Sequence, residues 1–314
     1  MNGFSPARLR IATVFLAGFA LLAPVRGQEG FAGKATGGDG GATVTVRTAE
    51  EFSERVKAPE ILVVVVEGNL AIGTVSVASN KTILGASRAA TLTGNLLLGP
   101  AASNVIVKNL NFTNPMGKNG KGGGDGVTIR GAKLVWVTQC TFFDCGDGCV
   151  DVTEGADWVT VSWCKFYFSR QPEHRFTMIA AGRDKDRKKK EVKNKLHITL
   201  HHNWWADRCE SRMPSATKAR LHMYNNYFTC EGNSYCSNAR DKTELLSEHN
   251  YYEGVRNPLY TEDGAMLKTA GNIFEKCTGM MEKKNEDVFD PPYKYSPDKA
   301  GKVPGIVRAG AGVR

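Results

Sequence analysis

The stretch LHMYNNYF (221–228), with LLSEHNYY (245–252) beginning 24 residues after it begins, decides the fold. Each run is rich in residues that favour strands, and each ends in an aromatic residue. The same pattern occurs in VIVKNLNF (105–112), VWVTQCTF (135–142), VTVSWCKF (159–166), HITLHHNW (197–204) and LKTAGNIF (267–274). The closing aromatics are 22 to 38 residues apart, and four of the six intervals are 22 to 24 residues. A repeat of this length predicts a solenoid.

The composition of the repeats predicts that the solenoid is built from strands. A period of about 22 to 24 residues is too short for paired helices, and no LxxLxLxxN pattern of a leucine-rich repeat recurs. We therefore predict an all-β protein, a right-handed single-stranded parallel β-helix. Asn226, Asn250 and Asn272 each precede a closing aromatic by two residues, so stacking would join their amides in a hydrogen-bonded ladder.

The two ends of the chain predict a leader peptide and a capping helix. Arg8 and Arg10 precede an apolar run at 11–23 and small residues up to Gly27, which predicts a signal peptide over residues 1–27. Residues 28–314 are then one exported β-helix domain, and the apolar run is too short to span a membrane. Thr48 and Glu51 form a capping box that predicts a short N-terminal helix, AEEFSERVK, over the open end of the stack. A capped solenoid is expected to be a monomer.

The charge of the chain predicts an acidic partner. Removal of the signal peptide removes three arginines and no acid, so the formal net charge falls from +9 to about +6. A positive field favours a polyanion. The basic residues form no helical stripe, which argues against nucleic acid, and export favours an acidic polysaccharide. The long intervals between repeats mark insertions at 116–124 and 183–195, which are expected to frame a binding face.

The eight cysteines predict either disulfides or buried thiols. An exported chain with eight cysteines has room for four disulfides. Cys140 and Cys164 are 24 residues apart at equivalent positions of two repeats, so they are expected to stack as a disulfide or as two buried thiols.

Four polar residues are expected to share one sector of the coil. Asp125, Asp147, Asp151 and Arg212 lie 15 to 19 residues before the next closing aromatic. Asp125 and Asp147 are 22 residues apart, which predicts neighbours on adjacent coils, and Asp151 follows on the same face. Three carboxylates at close range repel one another unless a cation joins them, and an oxygen-only cluster suits Ca²⁺. The alternative is that each aspartate caps an Asp-Gly turn.

Several long motifs resemble one enzyme family. They are GFAGKATGG (30–38), NKTILG (80–85), DGCVDVTEGADWVTVSW (147–163), HHNWW (201–205), SRMP (211–214) and HMYNNYF (222–228). In this order they resemble the extracellular pectate lyases of polysaccharide lyase family 1. The resemblance implies calcium-dependent β-elimination of α-1,4-linked polygalacturonate to 4,5-unsaturated products. It implies calcium ligands at Asp125, Asp147 and Asp151 and a catalytic arginine at Arg212.

The chain departs from the family pattern at positions that contact substrate. His174-Arg175-Phe176 stands where His-Asp-Lys is typical, so the substrate-binding lysine is absent and Arg175 is its expected replacement. The family's second arginine is Thr217 here, with Lys218 beside it as a candidate substitute. Thr138-Gln139 replaces a typical Asp-His.

Two alternatives remain open from the sequence. One is a noncatalytic carbohydrate-binding β-helix, in which these replacements have removed turnover. The other is a pectin lyase acting on methylated polymer without calcium, against which the three aspartates argue. His201, His202 and His222 lie within repeat runs, so we expect a structural role for them.

Overall fold

The computed structural model describes residues 29–115, 124–170, 174–181 and 196–314. The predicted signal peptide at 1–27 lies outside the described residues, as do the 183–195 insertion and nearly all of the 116–124 insertion. The remainder of the chain winds into a parallel β-helix whose coils contribute strands to three stacks, as the repeats predicted.

The first stack is a sheet of ten parallel strands, one from each successive coil. Apolar side chains alternate with more exposed ones in its early strands, so one face of the sheet covers the core. The strands are β1 (Ala42–Val46), β2 (Leu62–Val66), β4 (Lys81–Gly85), β6 (Ser103–Lys108), β9 (Lys133–Thr138), β12 (Asp157–Ser162), β15 (Leu196–His201), β18 (Ala219–Tyr224), β21 (Glu244–Glu248) and β24 (Met266–Ala270).

The second and third stacks meet at two long strands, β3 (Asn69–Ser76) and β5 (Thr91–Leu98). From β5 the second stack continues through β7 (Asn111–Thr113), β10 (Thr141–Phe143), β13 (Lys165–Tyr167), β16 (Trp204–Trp205), β19 (Tyr227–Phe228), β22 (Tyr251–Glu253) and β25 (Ile273–Glu275). The third stack continues through β8 (Val127–Arg130), β11 (Val150–Thr153), β14 (Ile179–Ala181), β17 (Ser215–Thr217), β20 (Ser237–Arg240) and β23 (Leu259–Thr261). The third stack positions the candidate site.

The closing aromatics form a ladder inside the coil. Successive rings stack with centroids 4.3 to 5.3 Å apart, in the order Phe112, Phe142, Phe166, Trp205, Phe228, Tyr252 and Phe274. The sequence pattern placed Trp204 in this series, and that assignment is wrong by one residue. Trp205 pairs with Phe166 and is fully buried, whereas the Trp204 ring lies 4.4 Å from the Lys165 ammonium. When two tryptophans are adjacent at the end of a strand, the sequence pattern does not show which one points into the coil.

The predicted asparagine ladder is confirmed, and it includes one more residue. Asn203 donates to Asn226 at 3.1 Å, Asn226 to Asn250 at 2.9 Å, and Asn250 to Asn272 at 3.0 Å. Asn226 also donates to the backbone carbonyl of Leu200 at 2.8 Å. Each fully buried amide is therefore satisfied by the neighbouring coils.

Replacing Asn226 by alanine is expected to lower the free energy of unfolding by about 2–3 kcal/mol, because several buried hydrogen-bonding groups lose their partner. Denaturant titration would measure the loss. The exposed Asn69 gives a matched control, for which an alanine substitution should change stability by less than about 0.5 kcal/mol. Equal, small effects at both positions would show that the ladder contributes little.

Two helices cover the outside of the coil. Helix α1 (Ala49–Lys57) begins with the predicted capping box, in which Glu51 N–H donates to the Thr48 hydroxyl at 3.2 Å. Its buried Phe52 and Val56 join the core at the first coils, which confirms the predicted cap. Helix α2 (Val303–Gly310) follows a short 3-10 turn and packs against Tyr227 of the second stack. Within the described residues, no helix is long and apolar enough to cross a bilayer.

The eight cysteines, all within the described residues, are free thiols, so the structure does not support the predicted disulfides. Cys140 and Cys164 do occupy equivalent, fully buried positions. Each thiol points at a backbone carbonyl two residues earlier, 3.3 Å from the oxygens of Thr138 and Ser162 respectively. Buried thiols pack as small apolar side chains, which is the second alternative that the sequence left open.

Candidate active site

The third stack brings two of the predicted aspartates together. Asp125 lies two residues before the start of β8, and Asp151 lies within β11 opposite Thr128 of β8. The Asp125 carboxylate accepts a hydrogen bond from the Gly148 N–H at 2.9 Å and another from the Thr128 hydroxyl. The Asp151 carboxylate accepts one from the Ile179 N–H at 3.0 Å. Backbone groups of adjacent coils therefore fix both side chains.

Gly148 lies between the two carboxylates. A methyl group at this position would lie 2.5 Å from Asp151 Oδ1 and 3.1 Å from Asp125 Oδ1, so both oxygens face the same small space. Because Gly148 has no side chain, the two carboxylates can share that space. Sequence reasoning treated Gly148 as a turn residue, because its role depends on the register between coils.

Asp147 does not join the pair in this structure. The register of β8 and β11 pairs residues 23 apart, so Asp125 lies beside Gly148 rather than beside Asp147. A shift of one residue turns a side chain to the other face of an extended segment, and the Asp147 side chain is exposed. The predicted interval of 22 was therefore one residue short. Its charge is still close enough to raise the pKa of both Asp125 and Asp151.

Both paired carboxyls have raised pKa values. Burial, and then the charge of Asp125, raise the pKa of Asp151 to about 7. Burial also raises the pKa of Asp125, against the hydrogen bonds from Thr128 and Gly148 that lower it. Burial and neighbouring negative charge therefore disfavour the ionised carboxylates more than the nearby hydrogen bonds and arginines favour them.

The donor set fits a hard cation in part. Two aspartate oxygens that face one space suit Ca²⁺, which takes six to eight oxygen ligands. Among the described residues, no group of three or more His, Cys, Asp or Glu side chains is arranged to hold a metal ion. Asp125 and Asp151 would hold the ion, Asp147 would need to turn inward to reach it, and water or a bound carboxylate would complete the shell.

Arg212 lies beside this pair. Its positive charge is close enough to oppose the rise in the pKa of Asp151. The Arg212 backbone adopts φ 59°, a left-handed conformation that is uncommon outside glycine. Its carbonyl accepts hydrogen bonds from the Met178 N–H at 2.8 Å and from the Thr177 hydroxyl. The surrounding coil therefore holds the Arg212 backbone in place, in a conformation that nineteen other non-glycine residues of the described chain share.

The two predicted substrate-binding cations are engaged within the protein. Arg175 pairs with Glu210 at 3.4 Å, and 14% of its side chain is exposed. Lys218 is more deeply buried, with 3% of its side chain exposed and its ammonium 3.6 Å from Asp241. The structure therefore does not support direct contact between Lys218 and a polymer. The sequence could not show this burial, because it depends on how the turn between β17 and β18 folds.

A cavity adjoins the loop that carries Asp147. Phe143, Arg170 and His174 line it, together with Gly146 of the loop itself. His174 Nδ1 lies 3.1 Å from the Gly146 carbonyl oxygen, which ties the His174 segment to that loop. Sequence reasoning missed Arg170, for which the chain offers no motif.

The other histidines have structural roles, as expected. The His222 ring contacts the Tyr293 hydroxyl at 2.7 Å and Glu248 at 3.2 Å, and His202 contacts Asp298 at 3.1 Å. Burial lowers the pKa of both His201 and His222. These contacts join the C-terminal segment to the outside of the first stack, away from the third.

Comparisons with known proteins agree with this architecture. A family model described as pectate lyase matches residues 9–298. A pectate trisaccharide-lyase from Bacillus licheniformis is 29% identical over 91% of this chain and 86% of its own. A probable pectate lyase A from Neosartorya fischeri is 32% identical over 76% of this chain and 71% of its own.

Solved structures show the same fold. A pectate lyase from Bacillus sp. N165, solved in complex with trigalacturonate, superposes with a TM-score of 0.76 at 22% identity, covering 91% of this chain and 98% of its own. A thermostable pectate lyase superposes with a TM-score of 0.77 at 17% identity, covering 92% of this chain and 97% of its own. With the carboxylate pair and Arg212 on the third stack, the family match over most of its length shows that this chain is a polysaccharide lyase of the pectate lyase family.

Proposed function

We propose that the chain cleaves α-1,4-linked polygalacturonate by calcium-dependent β-elimination and releases 4,5-unsaturated oligogalacturonides. The observation that supports this most is the convergence of Arg212 with Asp125 and Asp151, whose carboxylate oxygens face the same small space. The names of the relatives, which include a pectate trisaccharide-lyase and a lyase bound to trigalacturonate, support the choice of substrate. The basic chain suits a polyanionic polymer.

The residues of the chain account for the steps of the reaction. Asp125 and Asp151 would hold the cation. Bound Ca²⁺ would supply positive charge that neutralises the charge developing on the substrate carboxylate. Arg212 in its neutral form takes the proton from C5 and becomes the guanidinium cation, the C5 electron pair forms the C4–C5 double bond, and the oxygen at C4 leaves and gains a proton from solvent. An arginine has a reference pKa above about 12, so we expect turnover to increase towards alkaline pH.

The cellular setting is part of the proposal. A signal peptide at 1–27 would send the domain at 28–314 out of the cell, where acidic plant cell-wall polysaccharide is accessible. We propose that it acts there as a monomer, without nucleic acid or membrane as a partner.

Ultraviolet absorbance of unsaturated product would test the proposal. The chain is assayed on polygalacturonate at alkaline pH with calcium and then with a chelator, and on highly methylated pectin. We expect absorbance to rise on polygalacturonate with calcium and to stop with the chelator. A signal on methylated pectin that survives the chelator would favour a pectin lyase instead.

Binding of polygalacturonate with no absorbance change under any of these conditions would contradict turnover, because binding creates no double bond.

Gly148→Ala is expected to lower calcium affinity by about tenfold or more, because the added methyl group displaces the Asp151 and Asp125 carboxylates. Isothermal titration calorimetry with calcium would measure this. Gly99 has open space around it, so Gly99→Ala is the control and should leave affinity unchanged. Unaltered affinity in Gly148→Ala would place the calcium site elsewhere.

A further inference from the structure

Phe176 occupies an unusual place beside the reactive arginine. The Cζ atom of the Arg212 guanidinium lies 4.2 Å from the centroid of the Phe176 ring. At this distance the planar guanidinium stacks on the face of the aromatic ring, by π-stacking as well as by cation–π attraction. The contact covers one side of the guanidinium and leaves fewer orientations open to a long, flexible side chain.

The ring is itself held firmly. A parallel bridge joins Phe176 to Ser211, the residue before Arg212, so the two backbones are fixed side by side. The His174 ring meets the Phe176 ring edge to face, with centroids 4.1 Å apart at 89°. His174 in turn contacts the Gly146 carbonyl in the loop that carries Asp147. These contacts link the ring to both the arginine and the aspartate loop.

We propose that Phe176 is a positioning residue, which orients the Arg212 guanidinium towards the substrate by stacking beneath it. The inference rests on the proposed function. The resemblance to the family leads one to expect a lysine at this position that contacts substrate. This chain has instead an aromatic ring that contacts the arginine, so the position acts on the substrate through Arg212.

Orientation matters because proton removal needs a defined approach. A misplacement of about 1 Å costs as much as 10²-fold in rate. The loss should appear in kcat, since stacking orients the base and makes no contact with the polymer. It should leave KM nearly unchanged.

Steady-state kinetics on polygalacturonate would compare wild type with three variants. Phe176→Leu keeps an apolar side chain without a π face and should lower kcat about tenfold, with KM within about twofold. Phe176→Tyr keeps the ring and should restore at least half of kcat. Phe274→Leu is the matched control, because Phe274 also has a cation over its ring, Lys283 at 5.9 Å, but lies at the last coil. It should keep wild-type kcat.

An unchanged kcat in folded Phe176→Leu, or no recovery in Phe176→Tyr, would overturn the inference. A second measurement works without turnover. In the proton NMR spectrum, ring current from Phe176 should shift the guanidinium signals of Arg212 upfield in wild type, and Phe176→Leu should remove that shift. Absence of the shift in wild type overturns the stacking even if the enzyme is active. An inactive wild type that shows the shift would count against the proposed function alone.

Discussion

Replacing Arg212 by alanine is expected to lower the rate of unsaturated-product release by about 10³-fold, the scale of a lost general base. The physical reason is that Arg212 is the residue placed to accept the C5 proton, beside the Asp151 carboxylate and above the Phe176 ring. Absorbance assays at saturating substrate and calcium would measure the effect. The backbone at this position is held by bonds to its carbonyl, which alanine retains.

Two comparisons make the Arg212 experiment decisive. Arg212→Lys keeps the charge but loses the planar guanidinium, so we expect it to recover part of the activity at most. Arg220→Ala removes a partly exposed arginine of β18, 3.1 Å from Glu244, and should retain full activity. Wild-type turnover in folded Arg212→Ala would assign the proton transfer to another residue.

Replacing Asp151 by asparagine is expected to abolish stabilisation by calcium and to lower activity at least about 100-fold. In wild type, calcium at about 100 times its dissociation constant should raise the melting temperature by about 5 °C. Without one of its two facing carboxylates the site should give no such rise. Calorimetric melting with calcium and with chelator would test this.

The pH dependence of stability follows from the same carboxyl. The pKa of Asp151 is raised by burial to about 7, well above the value of about 4 for a free aspartate. Between these pH values the folded state keeps a proton that the unfolded state has lost, so stability falls as pH rises from about 4 to about 7. In chelator, Asp151→Asn should therefore be more stable than wild type at pH 8. The exposed Asp263→Asn is the control and should behave as wild type under both conditions.

A melting temperature of Asp151→Asn that still rises with calcium would contradict the assignment of this ligand. So would a wild-type protein that calcium stabilises equally at pH 5 and pH 8. At pH 5 calcium must compete with a proton for the Asp151 carboxyl, whereas at pH 8 this carboxyl is ionised.

Much of the fold could be predicted from the repeats. Each coil from Phe112 to Phe274 carries a closing aromatic ring. These rings stack on one another from coil to coil, which requires a nearly fixed period. The asparagine ladder depends on the same spacing, so the sequence predicts that Asn226 and Asn250 belong to it. Trp204 and Trp205 show the limit of this reasoning, because period alone does not decide which of two adjacent aromatics points inward.

Prediction of the candidate site depended more on the register between coils than on spacing in the sequence. Asp125, Asp151 and Arg212 were predicted, and the third stack brings them together. Asp147 lies outside the pair of carboxylates. Adjacent coils pair residues that are 23 rather than 22 apart, which places Gly148 beside Asp125. Neighbouring chain segments also determine which cations remain available. The sequence gives no sign that Glu210 engages Arg175, that Asp241 engages Lys218, or that Phe176 supports Arg212.

The most direct test of the account is the proton NMR spectrum of an oligogalacturonate after incubation with the protein, with calcium and then with chelator. The account predicts a vinylic C4 proton signal that grows with calcium and is absent with chelator. New reducing ends without a vinylic signal would indicate hydrolysis, and intact oligosaccharide in both samples would indicate binding without turnover. Either result would contradict calcium-dependent β-elimination at the Asp125, Asp151 and Arg212 site.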